Sequence, residues 1–262
     1  MRILITGAAG HIGTVLADRL GAEFEIRGLD VREAPPSYPG EFVVGDCADP
    51  AVAAEAVDGM DAVVHLAGVA SESKLPEILH GHVVGTAALL DAMVQSGVRR
   101  MVYASSNHAV GMTPRATSLT ADAPPRPDTF YGVGKVAAEG LLSLYADRHG
   151  INSVAMRIGS FLEKPTTRRA LATWLSYDDC AAMVRAALSA EIEGVVTIYG
   201  ISANSDAWWD LEAGRAIGYQ PRDDAADYAA DLPVREEDDA EAARVGGPFA
   251  TDEFSRRPFS DV

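Results

Sequence analysis

Short apolar segments alternate along the chain with longer stretches in which apolar residues recur every three or four positions. Apolar runs of about four to eight residues are typical of buried strands, whereas the longer periodic stretches are typical of amphipathic helices. The pattern predicts strands at 3–6, 24–30, 42–46, 61–68, 99–106, 152–159 and 194–200, and helices at 12–20, 49–59, 75–97, 131–150 and 177–190.

Repeated alternation of strand and helix predicts an α/β fold, a doubly wound and mostly parallel Rossmann-type sheet with helices on both faces. Ligands of such sheets bind at the carboxyl ends of the strands, near the point where the strand order reverses. We expect one domain over 1–262, with segments 161–176 and 201–220 forming a small cap on the substrate side. Trp208 and Trp209 are expected to pack in the core of this cap.

The composition changes over residues 221–262, which hold twelve acidic and five basic residues and few large apolar side chains. Segments of this kind bury little apolar surface, so we expect an acidic peripheral tail. Over the whole chain, 22 basic and 38 acidic residues give a net charge of −16. This charge argues against nucleic acid and anionic membranes as partners.

Several features favour a reduced, cytoplasmic environment. Cys47 and Cys180 are far apart and lack the CxxC spacing, so both are expected to be reduced thiols. The N-terminal MRILITGAAGHIG has only a short apolar run and does not resemble a signal peptide. No uninterrupted apolar run reaches about 18 residues, as a membrane span would require. No group of His, Cys and carboxylate residues has metal-ligand spacing, so no metal is expected.

A glycine-rich turn, TGAAGHIG (6–13), directly follows the first predicted strand and opens a helix. Glycines allow the backbone to turn sharply and to approach a pyrophosphate, which binds at the positive end of the helix. The spacing is GxxGxxG, which is a weak signal by itself.

An acid at the end of the second strand strengthens the prediction. Asp30 lies 23 residues after Gly7, where a carboxylate accepts hydrogen bonds from the adenine ribose. The 2′-phosphate of NADP would be repelled by the charge of Asp30, so NAD is favoured over NADP. The positive charge of Arg32 could offset part of this repulsion. The predicted cofactor-binding residues are Gly7, Gly10, His11, Ile12, Gly13, Asp30, Val31, Asp46, Cys47, Leu66, Ala67, Gly68, Tyr131, Lys135 and Ile158.

Candidate chemistry lies in YGVGK (131–135), where Tyr131 and Lys135 share one face of a predicted helix. A cation beside a phenol lowers the phenol pKa from about 10, which suits Tyr131 to act as a general base. Polar residues also follow the fifth strand in SSNHAVG (105–111), and a turn that satisfies its own backbone is the less favoured alternative for them.

Together these features resemble the extended short-chain dehydrogenase/reductase superfamily, in which a Ser, a Tyr and a Lys act beside a nicotinamide. Within that superfamily the chain is similar to the uronate dehydrogenases, over residues 2 to about 220. The motifs are ASSNHAVG (104–111), RPDTFYGVGK (126–135), MRIGS (156–160), TWLSYDDC (173–180) and GISANSDAWWD (200–210). Related aldose 1-dehydrogenases share SSNHAVG and LSYxDC, whereas RIGS, Arg169 and SANxxxWWD favour the uronate enzymes.

The resemblance implies oxidation of a hexuronate at C1 to an aldarolactone, with hydride passing to NAD. It assigns Tyr131 as general base, Ser106 as a hydrogen-bond partner of the reacting oxygen (Ser105 as the alternative) and Lys135 as the residue that lowers the tyrosine pKa. The implied substrate-binding residues are Ser71, Ser106, Asn107, His108, Tyr131, Ser160 and Arg169. A guanidinium suits a planar carboxylate, and a solvated surface charge is the less favoured alternative for Arg169.

The chain departs from the uronate dehydrogenase pattern at four places: Ala70, His82, Gly134 and the segment 163–165. Three alternatives therefore stay open. They are an aldose 1-dehydrogenase for a neutral or phosphorylated sugar, a nucleotide-sugar epimerase or dehydratase, and a dinucleotide sensor without activity. We expect a sugar-acid substrate and a homo-oligomer. The preferred sugar, the form of the released product and the subunit number stay open.

Overall fold

A seven-stranded parallel sheet forms the centre of the computed structural model, which describes residues 1–115 and 118–259. Residues 260–262 of the predicted acidic tail lie outside the described residues. The seven strands of this sheet are β1 (Arg2–Thr6), β2 (Glu25–Asp30), β3 (Glu41–Val44), β4 (Ala62–His65), β5 (Arg100–Ser106), β6 (Asn152–Ile158) and β9 (Val195–Gly200). A separate two-stranded sheet consists of β7 (Ser160–Phe161) and β8 (Trp174–Leu175).

Helices cover both faces of the sheet. They are α1 (His11–Leu20), α2 (Pro50–Val57), α3 (Leu75–Ile78), α4 (Gly85–Ser96), α5 (Phe130–His149), α6 (Ala170–Thr173), α7 (Tyr177–Ser189), α8 (Glu212–Ala216) and α9 (Asp238–Ala242). A π-helical turn (Leu79–Val84) and 3₁₀ turns at Asn107–Val110, Ala225–Asp231 and Gly247–Ala250 complete the described elements.

The strand order is β3-β2-β1-β4-β5-β6-β9, so the chain moves outward from β1 first in one direction and then in the other. Every pairing in this sheet is parallel. The reversal places a crevice above the carboxyl ends of β1 and β4, where this fold binds ligands. The predicted doubly wound fold is therefore confirmed, with strand bounds that differ by one to three residues.

The alternation of side chains along each strand explains why both faces are covered. In β1, Ile3 and Ile5 belong to one buried cluster and Leu4 belongs to a second, and all three are fully buried. Since successive side chains of a strand point to opposite faces, a strand that is apolar at every position needs helices on both sides. Trp208 and Trp209, each 4% exposed, join the first cluster.

The predicted helix over 75–97 is interrupted by the π-helical turn Leu79–Val84. Apolar periodicity does not distinguish such a turn from regular helix, because the extra residue shifts the pattern only locally. Gly97 adopts the left-handed conformation (φ 74°) and ends the helix as the sequence indicates.

The acidic segment 221–262 is not peripheral throughout, which corrects the prediction. Ala225 and Val245 are fully buried, and the Val245 and Gly246 amides donate to the carbonyls of Thr113 and Gly111. The prediction used the charge and composition of the whole segment, and these averages conceal the short apolar run VGGPFA (245–250). The C-terminal segment thereby reaches the turn that follows β5.

No helix in the part of the chain that the structure describes is long and apolar enough to cross a membrane. Cys47 and Cys180 are free buried thiols.

Candidate active site

A cavity of about 1050 Å³ opens above the carboxyl ends of the central strands. Every residue predicted to bind the cofactor lines it: Gly7, Gly10, His11, Ile12, Gly13, Asp30, Val31, Asp46, Cys47, Leu66, Ala67, Gly68, Tyr131, Lys135 and Ile158. This volume suits an extended ligand of dinucleotide size.

The glycine-rich turn is shaped for close backbone approach. Gly7 adopts φ 68°, and a Cβ atom there would lie 2.9 Å from the amide nitrogen of Ala67. A Cβ on Gly13 would lie 2.3 Å from the carbonyl oxygen of Gly7. Helix α1 begins at this turn with no acid in its first turn and, in the described chain, no side-chain cap. Its free amides and positive dipole therefore fit a pyrophosphate.

Asp30 ends β2 with only 7% of its surface exposed. Its carboxylate accepts hydrogen bonds from the Ala9 amide at 3.0 Å and the Arg32 amide at 3.0 Å. The Arg32 Nε also donates to it at 3.2 Å, from a side chain that is 61% exposed. The backbone donors hold the carboxylate at the rim of the cavity, where it can accept hydrogen bonds from ribose hydroxyls, and Arg32 lines the same rim.

Helix α5 carries Tyr131 and Lys135 toward the end of β5. Thr129 caps the helix by accepting from the Gly132 amide at 2.9 Å, and Glu72 accepts from the Tyr131 amide at 2.8 Å. The Lys135 Nζ lies 5.3 Å from the centroid of the Tyr131 ring and donates to the carbonyl of Ala104 at 2.6 Å.

Both serines at the end of β5 line the large cavity, and of the two only Ser106 also lines a smaller neighbouring one. Ser105 Oγ instead donates to Glu139 at 2.5 Å. Adjacent strand residues point to opposite faces, so only one of the two can act with Tyr131. The geometry favours Ser106, the first choice from sequence.

The expected lowering of the Tyr131 pKa is not found in the chain alone. Burial raises the pKa of Tyr131 to about 12, and the hydroxyl of Ser106 offsets only part of this. Burial also lowers the pKa of Lys135 to about 7, against the raising effect of Glu139. The i, i+4 spacing placed the two groups correctly. It did not reveal that burial of the two side chains shifts both pKa values toward the neutral forms.

A smaller cavity of about 190 Å³ shares Ser106 and Tyr131 with the large one. Among the predicted substrate residues, Ser71, Asn107 and His108 also line it. The sequence singled out Ala70, which also lines it, only as a departure from the uronate dehydrogenase pattern, and it did not identify the other lining residues, Glu72, Thr129, Gly159 and Phe249. Phe249 comes from the C-terminal segment, where the apolar run VGGPFA was the available signal.

Ser160 and Arg169, the two remaining predicted substrate residues, line neither cavity. The hydroxyls of Ser160 and Thr173 share a hydrogen bond of 2.8 Å. The Arg169 Nη2 donates to the carbonyl of Val245 at 2.6 Å, and Asn107 Nδ2 donates to the same carbonyl at 3.2 Å. Arg169 therefore lies behind the C-terminal segment, which it helps to hold.

His108 is oriented by a buried carboxylate. Its Nδ1 lies 2.9 Å from Asp128 Oδ2, and the Asp128 side chain has no exposed surface. Phe249 packs against the imidazole edge-on, with ring centroids 5.1 Å apart. A Cβ on Gly111 would lie 2.1 Å from Asp128 Oδ2, so the glycine that ends SSNHAVG makes room for this carboxylate.

An aromatic cluster beside the glycine-rich turn was also missed from sequence. His11 Nε2 lies 2.6 Å from the hydroxyl of Tyr177, and Phe161 stacks on the Tyr177 ring with centroids 4.8 Å apart. Phe161 lines the large cavity, so the cluster ties the first turn of α1 to β7 and α7 beside the predicted pyrophosphate site. Within the described residues no group of three or more His, Cys, Asp or Glu side chains is arranged to hold a metal ion.

A parallel sheet with a glycine-rich turn after β1, an acid ending β2 and a tyrosine–lysine pair beside a serine defines a dinucleotide-dependent oxidoreductase of the Rossmann class. The chain belongs to the NAD dependent epimerase/dehydratase family, whose model matches residues 3–176.

Relatives extend this similarity over nearly the whole chain. A uronate dehydrogenase of Pseudomonas putida is 38% identical over 255 residues, covering 95% of this chain and 95% of the relative. The crystal structure of uronate dehydrogenase from Agrobacterium tumefaciens has a TM-score of 0.91 at 34% identity and covers 98% of both chains. A tyrosine-to-alanine variant of that enzyme complexed with NAD also has a TM-score of 0.91 at 34% identity, covering 98% of this chain and 99% of that one. The predicted superfamily and its resemblance to uronate dehydrogenases are thus confirmed.

Proposed function

We propose that this chain is an NAD-dependent dehydrogenase that oxidises the C1 hydroxyl of a hexuronic acid such as glucuronate or galacturonate to an aldarolactone. The observation that carries the proposal is the smaller cavity, which joins the dinucleotide cavity at Ser106 and Tyr131. A sugar in it would meet both residues at the boundary with the cofactor. Full-length similarity to uronate dehydrogenases supports the choice of substrate.

NAD is the cofactor, and when bound it supplies the acceptor for the hydride from C1. Asp30 would accept hydrogen bonds from its adenine ribose, and the free amides of α1 would face its pyrophosphate. Tyr131 and Lys135 would face its nicotinamide half, since they line the large cavity where it meets the smaller one.

In the proposed reaction Tyr131 removes the proton from the C1 hydroxyl, and Ser106 hydrogen-bonds the same oxygen. The Lys135 Nζ lies 5.3 Å from the centroid of the Tyr131 ring, and the pKa of Lys135 is the lower of the two, so the first proton that this pair loses comes from Lys135. With the pKa of Lys135 lowered to about 7 by burial, we expect the pair to lose its first proton in the neutral range. The neutral Lys135 amine can then accept the proton of the Tyr131 phenol while Tyr131 takes up the proton that the C1 hydroxyl releases, so the protons balance.

Asn107 and His108 would hold the sugar hydroxyls, and Ser71 lies on the same wall. Asp128 accepts from His108 Nδ1, which leaves Nε2 of that imidazole for the substrate. We propose that Arg169 affects the sugar through the Val245 carbonyl, which it shares with Asn107. Ser160 would act through its hydrogen bond to Thr173.

The expected cytoplasmic location and homo-oligomeric state belong to the same proposal. Cell fractionation would test the location, and light scattering would test the oligomeric state.

The test of this function is NADH formation measured by absorbance with glucuronate, galacturonate, glucose, galactose, arabinose and glucose 6-phosphate, each with NAD and with NADP. We expect the highest kcat/KM for a uronate with NAD. Preference for a neutral or phosphorylated sugar would instead establish an aldose 1-dehydrogenase. An epimerase recycles its cofactor, so release of free NADH argues against that class. Binding of NADH without turnover of any sugar would indicate a sensor.

Lys135→Met is expected to stabilise the folded chain at low pH while lowering kcat by about 10²-fold or more. Burial lowers the pKa of Lys135 from 10.5 to about 7, so below pH 7 the folded state carries a buried charge at a cost. Between pH 7 and 10.5 the unfolded chain binds the additional proton, and the stability of the wild type rises with pH. The variant should therefore gain roughly 3 °C or more in Tm at pH 6 and progressively less toward pH 10.

Thermal unfolding at pH 6, 8 and 10 would measure this difference. Lys164→Met is the matched control, because Lys164 is exposed and its removal should leave Tm nearly unchanged at each pH. An equal gain for Lys135→Met at pH 6 and pH 10 would contradict the lowered pKa.

A further inference from the structure

His82 lies in the π-helical turn Leu79–Val84, beneath the loop that follows β4. Its side chain is almost fully buried, with 1% of the residue exposed, and it lines the dinucleotide cavity but not the smaller one. Nothing in the proposed reaction uses this imidazole. The chemistry of its two nitrogens and the residues that surround it indicate what it does.

The imidazole holds the loop through one nitrogen only. His82 Nε2 donates to the carbonyl of Val69 at 2.9 Å, which fixes the tautomer with hydrogen on Nε2. Nδ1 is buried and meets no hydrogen-bond partner among the described residues. Burial, followed by the charge of Lys135, lowers the pKa of His82 to about 3, so the ring stays neutral in the working range of the enzyme.

Two glycines leave the space that the ring occupies. Gly68 adopts φ 142°, and a Cβ there would lie 2.4 Å from Cε1 and 2.5 Å from Nδ1 of His82. A Cβ on Gly134 would lie 3.3 Å from both Cβ and Cδ2 of His82, and 2.6 Å from Cγ2 of Ile78. Side chains at positions 68 and 134 would therefore compete with the imidazole for the same volume.

The same ring contacts the proposed general base. His82 packs edge-on against Tyr131 with centroids 5.3 Å apart and an angle of 79°. His108 packs against Tyr131 in a similar way, at 5.8 Å and 76°. Tyr131 is thus held between two imidazoles, one from the cofactor side and one from the sugar pocket. Edge-to-face pairs of this kind contribute orientation as well as burial.

The backbone of the turn is tied to the start of the same loop. The Thr86 hydroxyl donates to the carbonyl of His82 at 2.5 Å and lies 3.0 Å from His65 Nε2. His65 Nδ1 lies 2.7 Å from the Thr6 hydroxyl, which accepts from the amide of Ala67 at 3.1 Å. The loop 66–69 is therefore fixed at both ends to the turn that carries His82.

We propose that His82 is a positioning residue that joins the cofactor-facing loop 66–69 to the ring of Tyr131, in a space kept open by Gly68 and Gly134. Its bond to Val69 sets the wall against which the nicotinamide half of NAD would lie. Its edge sets the orientation of Tyr131. The effect on turnover rests on the proposed function, whereas the effect on NADH affinity does not.

Two substitutions separate these effects. His82→Gln keeps an amide N–H at a similar reach from the backbone and loses the aromatic edge. We expect it to hold the NADH dissociation constant within about twofold, since the Val69 bond is kept, and to lower kcat about fivefold. His82→Ala loses both contacts. We expect it to lower kcat and also to weaken NADH binding about fivefold. The KM for the uronate should stay nearly unchanged, because His82 does not line the smaller cavity.

NADH fluorescence titration and steady-state kinetics with glucuronate would give these values, and Tm would report folding. Equal losses of NADH affinity in His82→Gln and His82→Ala would overturn the proposal. An unchanged kcat per folded site in both variants would also overturn it. If no uronate is turned over by the wild type, the function fails. The NADH titrations still test whether His82 anchors the loop, because His82→Ala must then weaken NADH binding more than His82→Gln does.

Gly134→Ala tests the space around the ring. Alanine normally favours a helix over glycine, yet here it should lower kcat about fivefold or more by displacing Ile78 and His82. Gly140→Ala on the same helix is the matched control, because beyond its chain neighbours and the nearby backbone of the helix no described atom lies within 4 Å of a Cβ there. That variant should keep full activity and gain stability. If Gly134→Ala behaved like Gly140→Ala, the space that the His82 ring occupies would not depend on a glycine at position 134.

Discussion

Tyr131→Phe is expected to lower kcat for a hexuronate by about 10³-fold while NADH still binds within a few-fold of the wild-type affinity. The substitution removes the one oxygen that takes the proton from the C1 hydroxyl and keeps the ring that lies between His82 and His108. Because the ring is retained, the walls of both cavities should keep their shape. The measurements are NADH formation at saturating uronate and fluorescence titration with NADH.

Tyr103→Phe provides a stringent control. The Lys135 Nζ lies 5.1 Å from the Tyr103 ring and 5.3 Å from the Tyr131 ring, so the two phenols are at nearly equal distances from the same cation. Tyr103 is fully buried, and its hydroxyl has no hydrogen-bond partner among the described residues. Removing it should leave kcat within about twofold and should not reduce stability. Similar losses in both variants would mean that Tyr131 is not the base.

The sequence predicted the fold because every central strand of the sheet is apolar at successive positions, a pattern that only a sheet covered on both faces accommodates. It also brought Ser106, Tyr131 and Lys135 together. The end of β5 and the start of α5 lie at the same edge of a parallel sheet, so residues 25 positions apart in the chain become neighbours. These inferences depend on periodicity and on strand polarity, which are local properties of the chain.

The electrostatics and the sugar-binding wall depend on tertiary packing and could not be predicted in the same way. The pKa of Tyr131 moves upward because the phenol is buried, whereas the spacing of the two residues indicated only that a cation lies nearby. Arg169 was assigned to a carboxylate from resemblance, and its contact with Val245 depends on a segment 76 residues away. Glu72 reaches the Tyr131 amide from a loop whose path no sequence pattern indicates.

Deletion of residues 245–262 is expected to reduce kcat/KM for a uronate by about 10²-fold or more, with NADH affinity within a few-fold of wild type. The deletion removes Phe249 from the wall of the smaller cavity and removes the Val245 carbonyl, which accepts from both Asn107 and Arg169. Small displacements of substrate-holding groups are known to cost about that much. The described residues that line the dinucleotide cavity all precede position 162, so this cavity should persist.

Two further variants separate pocket closure from general destabilisation. Deletion from Ser255 onward keeps Val245 and Phe249, and should retain most of the activity. Phe249→Ala should raise the uronate KM about tenfold, whereas Phe254→Ala, which removes the neighbouring ring 5.0 Å away, should change it little because Phe254 does not line the cavity. Kinetics with glucuronate and Tm for each variant would decide the matter. Equal effects of Phe249→Ala and Phe254→Ala would show that the C-terminal segment stabilises the fold without contacting the sugar.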